Sequence, residues 1–341
     1  MKQPPDQPFS KLLAAAAIAM VLVGCQGVGS NGMVPESRQT AIVPEHPWAP
    51  TGLPMFDGSN GMIMTWASLM DAIAEADVVV LGEEHDDSVA HRFQLAVVSQ
   101  VLATWPGSAV ALEMLERDQQ AEVNDYLAGT LTGSEFLEAV TGGPESTRSF
   151  AEFYLPIVDA AGSEEAPVIA ANAPRQYVRM ARTEGWDGLA ARPESGQGLY
   201  VLPKRLDQGD YRRRIEELMR SYGKEPTREA VDEVLRAQQI WDSTMADSTL
   251  QALHDAEKVV LLVGRFHGDF AGGTVEEIRR RSTLVRVLYV TIINEDARRL
   301  RPEDLGRAEF VVYTGGVVRG EDPIDPTDDE PLPENGEEAG F

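Results

Sequence analysis

Six short apolar runs mark the chain: Val78–Leu81, Ala109–Leu112, Pro167–Ala170, Val259–Val263, Leu284–Ile292 and Phe310–Tyr313. None alternates cleanly between polar and apolar positions, as a strand with one wet face does. Such Val-, Ile- and Leu-rich runs are the pattern of strands buried on both faces. Helical stretches separate most of them, including Ser88–Thr104, Arg117–Leu127 and Thr274–Arg281. Upstream, Trp66, Leu69, Met70 and Ile73 share a helical face within Met62–Ala76. Strands alternating with helices predict an α/β fold with a mostly parallel central sheet flanked by helices. Between Asn172 and Lys258 the rhythm breaks, and only helical patterns remain. Thr227 there can cap a long helix whose face includes Val231, Val234, Leu235, Gln238, Trp241 and Met245. The stretch 175–256 is expected to be a helical insertion or lid subdomain over one end of the sheet.

The N-terminus follows a different pattern. Lys2 and Lys11 precede an apolar run, Leu12–Val23. Twelve helical residues span only ~18 Å, short of the ~30 Å hydrocarbon core. The run therefore reads as the apolar region of a signal peptide covering 1–24. Leu22-Val23-Gly24-Cys25 completes a lipobox, with cleavage before Cys25 and acylation of its thiol. Cys25 is the chain's one cysteine, so neither an intrachain disulfide nor a thiolate metal cluster can form. Residues 25–60, rich in Gly, Pro and Ser, are expected to be a lipidated flexible tether, followed by one domain over 61–320.

Composition adds a strong acidic bias, with 55 Asp and Glu against 30 Lys and Arg among 341 residues. That surface repels phosphate backbones and argues against nucleic acid as a partner. Part of the excess is local, because 321–341 holds nine acidic and no basic residues, with four prolines. This tail is expected to be disordered.

Polar residues collect where the apolar runs end. The first leads into Gly82-Glu83-Glu84-His85-Asp86-Asp87, and the second into Glu113. The third leads into Asn172-Ala173-Pro174-Arg175, and the fourth into Gly264-Arg265-Phe266-His267. In an open parallel sheet the carboxyl ends share one edge, where ligands bind. Glu83, Glu84, His85, Glu113, Asn172, Arg175 and His267 are thus the candidate pocket residues. Asp86 and Asp87 suit the N-terminus of the next helix instead. Glu113 is the most demanding of the set, since a buried carboxylate needs a metal, a cation or a proton donor. Arg175 could reach a carboxylate or lie on the surface. His91 and His254 read as helix-surface residues, and His46 falls in the tether. Gly82 and Gly264 are expected to permit sharp turns.

These segments resemble the ChaN-like haem-binding lipoproteins. The resemblance rests on the G-x-x-H blocks at 82–85 and 264–267, and on Ala111-Leu112-Glu113-Met114 and Phe153-Tyr154-Leu155-Pro156. Ala170-Ala171-Asn172-Ala173-Pro174-Arg175 and Ala237-Gln238-Gln239-Ile240-Trp241-Asp242 complete the ordered set. The second G-x-x-H, with Arg265 and Phe266, is bulkier than the family pattern. The family is grouped with the Tiki, TraB-like and erythromycin esterase-like proteins. The resemblance implies a surface lipoprotein of iron acquisition, with haem at a homodimer interface and iron bound through tyrosine. Tyr154 and Tyr177 lie nearest the shared motifs and are the candidate haem ligands. Gln26 after the lipidated cysteine favours the outer over the inner membrane of the cell envelope.

A second reading is a hydrolase. In it Glu113 or Glu84 would be the general base, with His85 and His267 stabilising the transition state or joining Glu113 around a divalent metal. No H-E-x-x-H spacing accompanies them. A third reading, a scaffold without a ligand, stays open.

Overall fold

The structure, a computed structural model, describes residues 52–191, 198–221, 223 and 225–315. The leader, Cys25, most of the expected tether and the acidic tail lie outside them. Seven strands form one sheet: β1 (Met55–Asp57), β2 (Val78–Glu83), β3 (Ala109–Glu116), β4 (Val168–Asn172), β5 (Val259–Gly264), β6 (Val287–Ile293) and β7 (Phe310–Tyr313). Their order is β1-β7-β6-β2-β5-β3-β4. All pairings are parallel except β1 with β7. The α/β fold with a mostly parallel sheet is therefore as the apolar runs predict.

The runs lack polar alternation because both faces are covered. Val79, Leu81, Val110, Leu112, Val260 and Leu262 pack into one core, with α1 (Trp66–Glu75) and α2 (Ser88–Thr104) against them. Val78, Val80, Ala109, Ala111, Val259, Leu261 and Val263 pack into the other. That second face is covered by the long helix α9, Arg228–Ala252, through Met245 and Ala246, and by α10, Gly273–Arg281, through Val275 and Ile278. Alternate side chains thus enter opposite cores, and neither face meets water.

Four short helical segments lie between β3 and β4: α3 (Gln120–Leu127), α4 (Gly133–Val140), α5 (Pro144–Ser149) and α6 (Leu155–Ser163). A π-helical turn, Phe150–Tyr154, joins the last two. The interval 175–256 is helical among its described residues. It holds α7 (Arg175–Ala190), α8 (Asp210–Ser221) and α9. Thr227 caps α9 by accepting from Ala230 N at 3.2 Å. The interval is nevertheless not all lid. α9 is a crossover helix lying on the sheet, and α7 and α8 pack on its outer flank. The expected tether ends earlier than residue 60, because Met55–Asp57 already pairs with β7. Three residues on a sheet edge carry too little periodicity to be read from sequence. None of the described helices is long and apolar enough to cross a membrane.

β5 enters the sheet between β2 and β3 after the chain has passed through β4, and β6 then lies beyond β2. Successive crossovers diverge here, which opens the crevice at the carboxyl ends of β2, β5 and β3. The two glycines at this edge are needed for space and not for a turn. A Cβ on Gly82 would stand 2.3 Å from Tyr289 Oη, and one on Gly264 would stand 3.0 Å from His85 Nε2. Gly264 has φ −58°, which any residue adopts.

Gly82→Ala is expected to cost about 1–3 kcal/mol, because the buried Tyr289 ring cannot withdraw from a packed core. Thermal unfolding measures this, and an unchanged midpoint would contradict the packing argument.

Candidate functional site

Glu83, the last residue of β2, is buried, and its carboxylate gathers three side chains. His85 Nδ1 donates to Oε1 at 2.9 Å, and the Tyr154 hydroxyl donates to the same oxygen. His91 Nδ1 stands 3.3 Å from Oε2. Tyr154 is delivered by the π-helical turn, a feature common where a helix must re-aim a functional side chain. His91 stacks on Phe153 at 4.2 Å and donates from Nε2 to the His85 carbonyl at 3.1 Å. The expectation that His91 is a surface residue is corrected, since it is 3% exposed. It falls on the side of α2 facing the strand end.

Glu113 centres the second group. Pairing between β3 and β5 ends at Leu112 with Leu262, so Gly264 N–H has no strand partner on that side. Glu113 Oε2 accepts that N–H at 2.6 Å. Its Oε1 lies 3.4 Å from His267 Nε2. The other imidazole nitrogen, Nδ1, donates to Asp242 Oδ1 at 2.7 Å, and Thr274 donates to the same oxygen at 2.9 Å. A carboxylate–imidazole–carboxylate chain thus links β3, the turn after β5 and α9. Asp242 was not anticipated as a site residue, and its signal was an acid beside apolar Ile240 and Met245.

The two groups meet at Gly264. The missing side chain there leaves His85 Nε2 and Glu113 Oε2 on the same side of the backbone. Burial alone pulls the His85 pKa down, but the hydrogen bond and charge of Glu83 and the charge of Glu113 outweigh it and raise it to about 9. Burial likewise opposes charge on His267, and Glu113 and Asp242 raise it to about 10. Burial pushes the Glu113 carboxyl up, yet His267, His85 and the Gly264 N–H hold it well below the usual range. Glu83 is lowered too, with His91, His85 and Tyr154 overcoming desolvation. Near neutral pH the crevice therefore holds two imidazolium–carboxylate pairs.

The remaining candidates sit elsewhere. Glu84 turns away and pairs with Arg265 at 2.9 Å. Asn172 donates from Nδ2 to the Glu113 carbonyl at 3.0 Å and accepts from Ala173 N, so it shapes backbone and does not face the crevice cations. Arg175 is 75% exposed and reaches Glu116 at 3.3 Å, far from a role inside the cluster. Asp87 caps α2, accepting from Val89 N and Ala90 N, as the helix-terminus reading expects. The alternative metal set of His85, Glu113 and His267 is without support. No group of three such donors among the described residues could hold a metal ion.

The candidate tyrosines separate sharply. Tyr154 is 5% exposed, donates to Glu83, and burial with the Glu83 charge pushes its phenol well above the ordinary value. It does not fit a haem ligand, which must be a phenolate beside an open slot. Tyr177 lies partly exposed on α7, 4.8 Å from the Tyr200 ring. Partly buried Met180, Trp186 and Trp241 extend this aromatic face, which suits a flat apolar ring. Trp241 also meets His267 edge-on at 6.4 Å, joining this face to the polar cluster.

Fold and site together define an α/β protein with paired carboxylates and imidazoles at a switch-point crevice, flanked by an aromatic helical face. The sequence profile of the family described as "Haem-binding uptake, Tiki superfamily, ChaN" matches residues 69–278. The chain belongs to that family. A solved structure titled as cofacial haem binding to ChaN of Campylobacter jejuni aligns with TM-score 0.59 at 18% identity, over 76% of this chain and 96% of that one. A mutant of the erythromycin esterase EreC, in its open conformation, aligns with TM-score 0.40 at 14% identity, over 76% and 82%. The type III effector HopBA1 aligns with TM-score 0.42 at 11% identity, over 77% and 97%. No curated protein matches the sequence.

The raised imidazole values set a pH signature. His267 binds its proton more tightly folded than unfolded, so its contribution is complete below about 6.5 and is lost as pH rises through about 10. Melting temperature is expected to fall across that window, and His267→Gln to flatten the fall. An identical slope in the variant would contradict the pairing.

Proposed function

We propose that this chain binds haem at the cell envelope, in haem uptake or handling, with Tyr177 supplying the iron ligand. The family match carries the reading, and the partly exposed Tyr177 in its aromatic setting supports it. When bound, haem brings a ferric centre for which a phenolate is a suitable donor. The chain's part is to present that oxygen, to cover one porphyrin face with Tyr200 and neighbouring rings, and to limit water. A homodimer enclosing haem between copies is the assembly this reading carries. Acylation at Cys25, with the outer membrane as destination, fits the leader and lipobox and keeps the domain at a lipid surface.

A second reading is favoured by one observation, the His85 and His267 imidazoles held by carboxylates at one crevice, which raises the pKa of both. Such a pair can stabilise developing negative charge on an ester or amide oxygen. Glu113, held at low basicity by His267 and His85, is a weak general base, and Glu84 is turned away to Arg265. The hydrolase reading therefore depends on the imidazolium pair and not on either glutamate as base.

Hemin titration of the purified chain tests the first reading. Saturable binding with a tyrosinate charge-transfer band is expected, lost in Tyr177→Phe and kept in Tyr154→Phe. Absence of saturable binding by the wild type would overturn it.

A further inference from the structure

A cavity of about 460 Å³ lies beside the polar cluster, lined by Arg205, Leu206, Asp207, Tyr211, Arg214 and Phe270 among others. That volume is within the range of small-ligand sites. Arg214 is its unusual feature. The guanidinium lies against three aromatic rings, 5.2 Å from the Tyr211 centroid, 5.3 Å from Phe266 and 5.6 Å from Phe270. Nε is buried without an acceptor, and among the described residues no carboxylate stands within ion-pair distance of the group. This is uncommon in a chain whose arginines elsewhere are mostly paired, including neighbouring Arg212 and Arg213. Rings satisfy the faces of a guanidinium, but its N–H donors lie along its edge. Leaving the buried Nε–H unmatched is costly, and a ligand acceptor at the partly exposed guanidinium would offset that cost.

The surrounding chain makes room for this arrangement. A Cβ on Gly272 would stand 2.2 Å from Arg214 Nη2, so only glycine lets the guanidinium lie there. Phe270 and Ala271 both adopt the left-handed conformation, at φ 57° and 55°. Non-glycine residues hold such backbone at a cost, and here it sets Phe270, 40% exposed, at the cavity wall. The cavity also adjoins the His267 chain. The next residue, Gly273, lies against the His267 carbonyl and Asp242 Oδ1. Tyr211 presents its ring to Arg214, and its phenol, raised well above the usual value by burial and by Asp242, belongs to the cluster side.

The acidic groups of the wall do not take the place of a ligand. Asp207 Oδ1 accepts from Gly209 N and Arg212 N, and Asp210 pairs with Arg213 at 3.0 Å. The Glu276 carboxyl is raised by burial and by the nearby Asp207 and Glu277 charges, and it makes no ion pair with Arg214 among the described residues.

We propose that this cavity is a ligand site in which Arg214 receives a carboxylate carried on a flat apolar body. The Phe270 ring and the Leu206 side chain in the cavity wall suit the apolar body, and the planar fork of arginine suits the two carboxylate oxygens. Two sources share this chemistry: a small aromatic acid held whole, or a propionate edge of haem. The second source rests on the haem reading, and the first does not.

Calorimetric titration with 2-naphthoate, its methyl ester, hemin and hemin dimethyl ester separates them. Wild type is expected to bind naphthoate and to bind the ester at least tenfold more weakly, a comparison that needs no variant. Arg214→Gln is expected to weaken the acid by roughly tenfold and leave the ester unchanged, with circular dichroism confirming the fold. Loss of hemin affinity on esterification and in Arg214→Gln identifies the haem propionate as the source. A naphthoate response with hemin unaffected identifies a separate small-acid site. If neither naphthoate nor hemin depends on its free carboxylate and on Arg214, the proposal is overturned.

Discussion

A carboxylate largely withdrawn from water at the end of a parallel strand must be paired, and Glu113 sets that requirement for this molecule. Its solution recruits the Gly264 N–H from β5 and His267 from the turn beyond, and through His267 it fixes Asp242 on α9. Glu83 repeats the logic one strand away with His85, His91 and Tyr154. Desolvation disfavours every one of these charges taken singly, so each is tolerable only with its partners in place. The consequence is positional. β2, β3, β5, the π-helical turn and α9 are tied together at one edge, where a parallel sheet has its natural opening.

Much of this was legible in the sequence. Apolar runs without alternation located six strands, and the polar residues following them marked the edge where acids and imidazoles gather. Glu113, Glu83, His85 and His267 meet there because strand ends in a parallel sheet share an edge. What the sequence hid was direction. Glu84 and Asn172 lie at their strand ends as Glu83 does, and Arg175 follows three residues past β4, yet they turn to Arg265, to backbone and to Glu116. Adjacent residues on a strand point to opposite faces, and no periodicity reports what waits on each. Asp242 and His91 were missed for a related reason. Each lies on a helix, where a polar residue reads as solvated until the strand end opposite it is known. The glycines were placed correctly for the wrong cause, since a clash with Tyr289 or His85 requires knowledge of the packed neighbour.

Polar and aromatic chemistry lie side by side here without merging. The cluster is held together by its own imidazole–carboxylate pairs. The helical face around Tyr177 and Tyr200 is apolar and partly open, and Trp241 connects it to His267. In the proposed reading, the strand-end cluster of acids and imidazoles holds the fold while haem lies against the helices.

The central claim is that both crevice imidazoles are protonated at neutral pH because carboxylates enclose them. Nuclear magnetic resonance titration of imidazole-labelled chain, with His85 and His267 assigned by substitution, tests this directly. Imidazolium shifts persisting through pH 8, with His85 titrating near 9 and His267 above it, are the predicted result. Titration of either ring near 6.5, as for a histidine in water, would contradict the account.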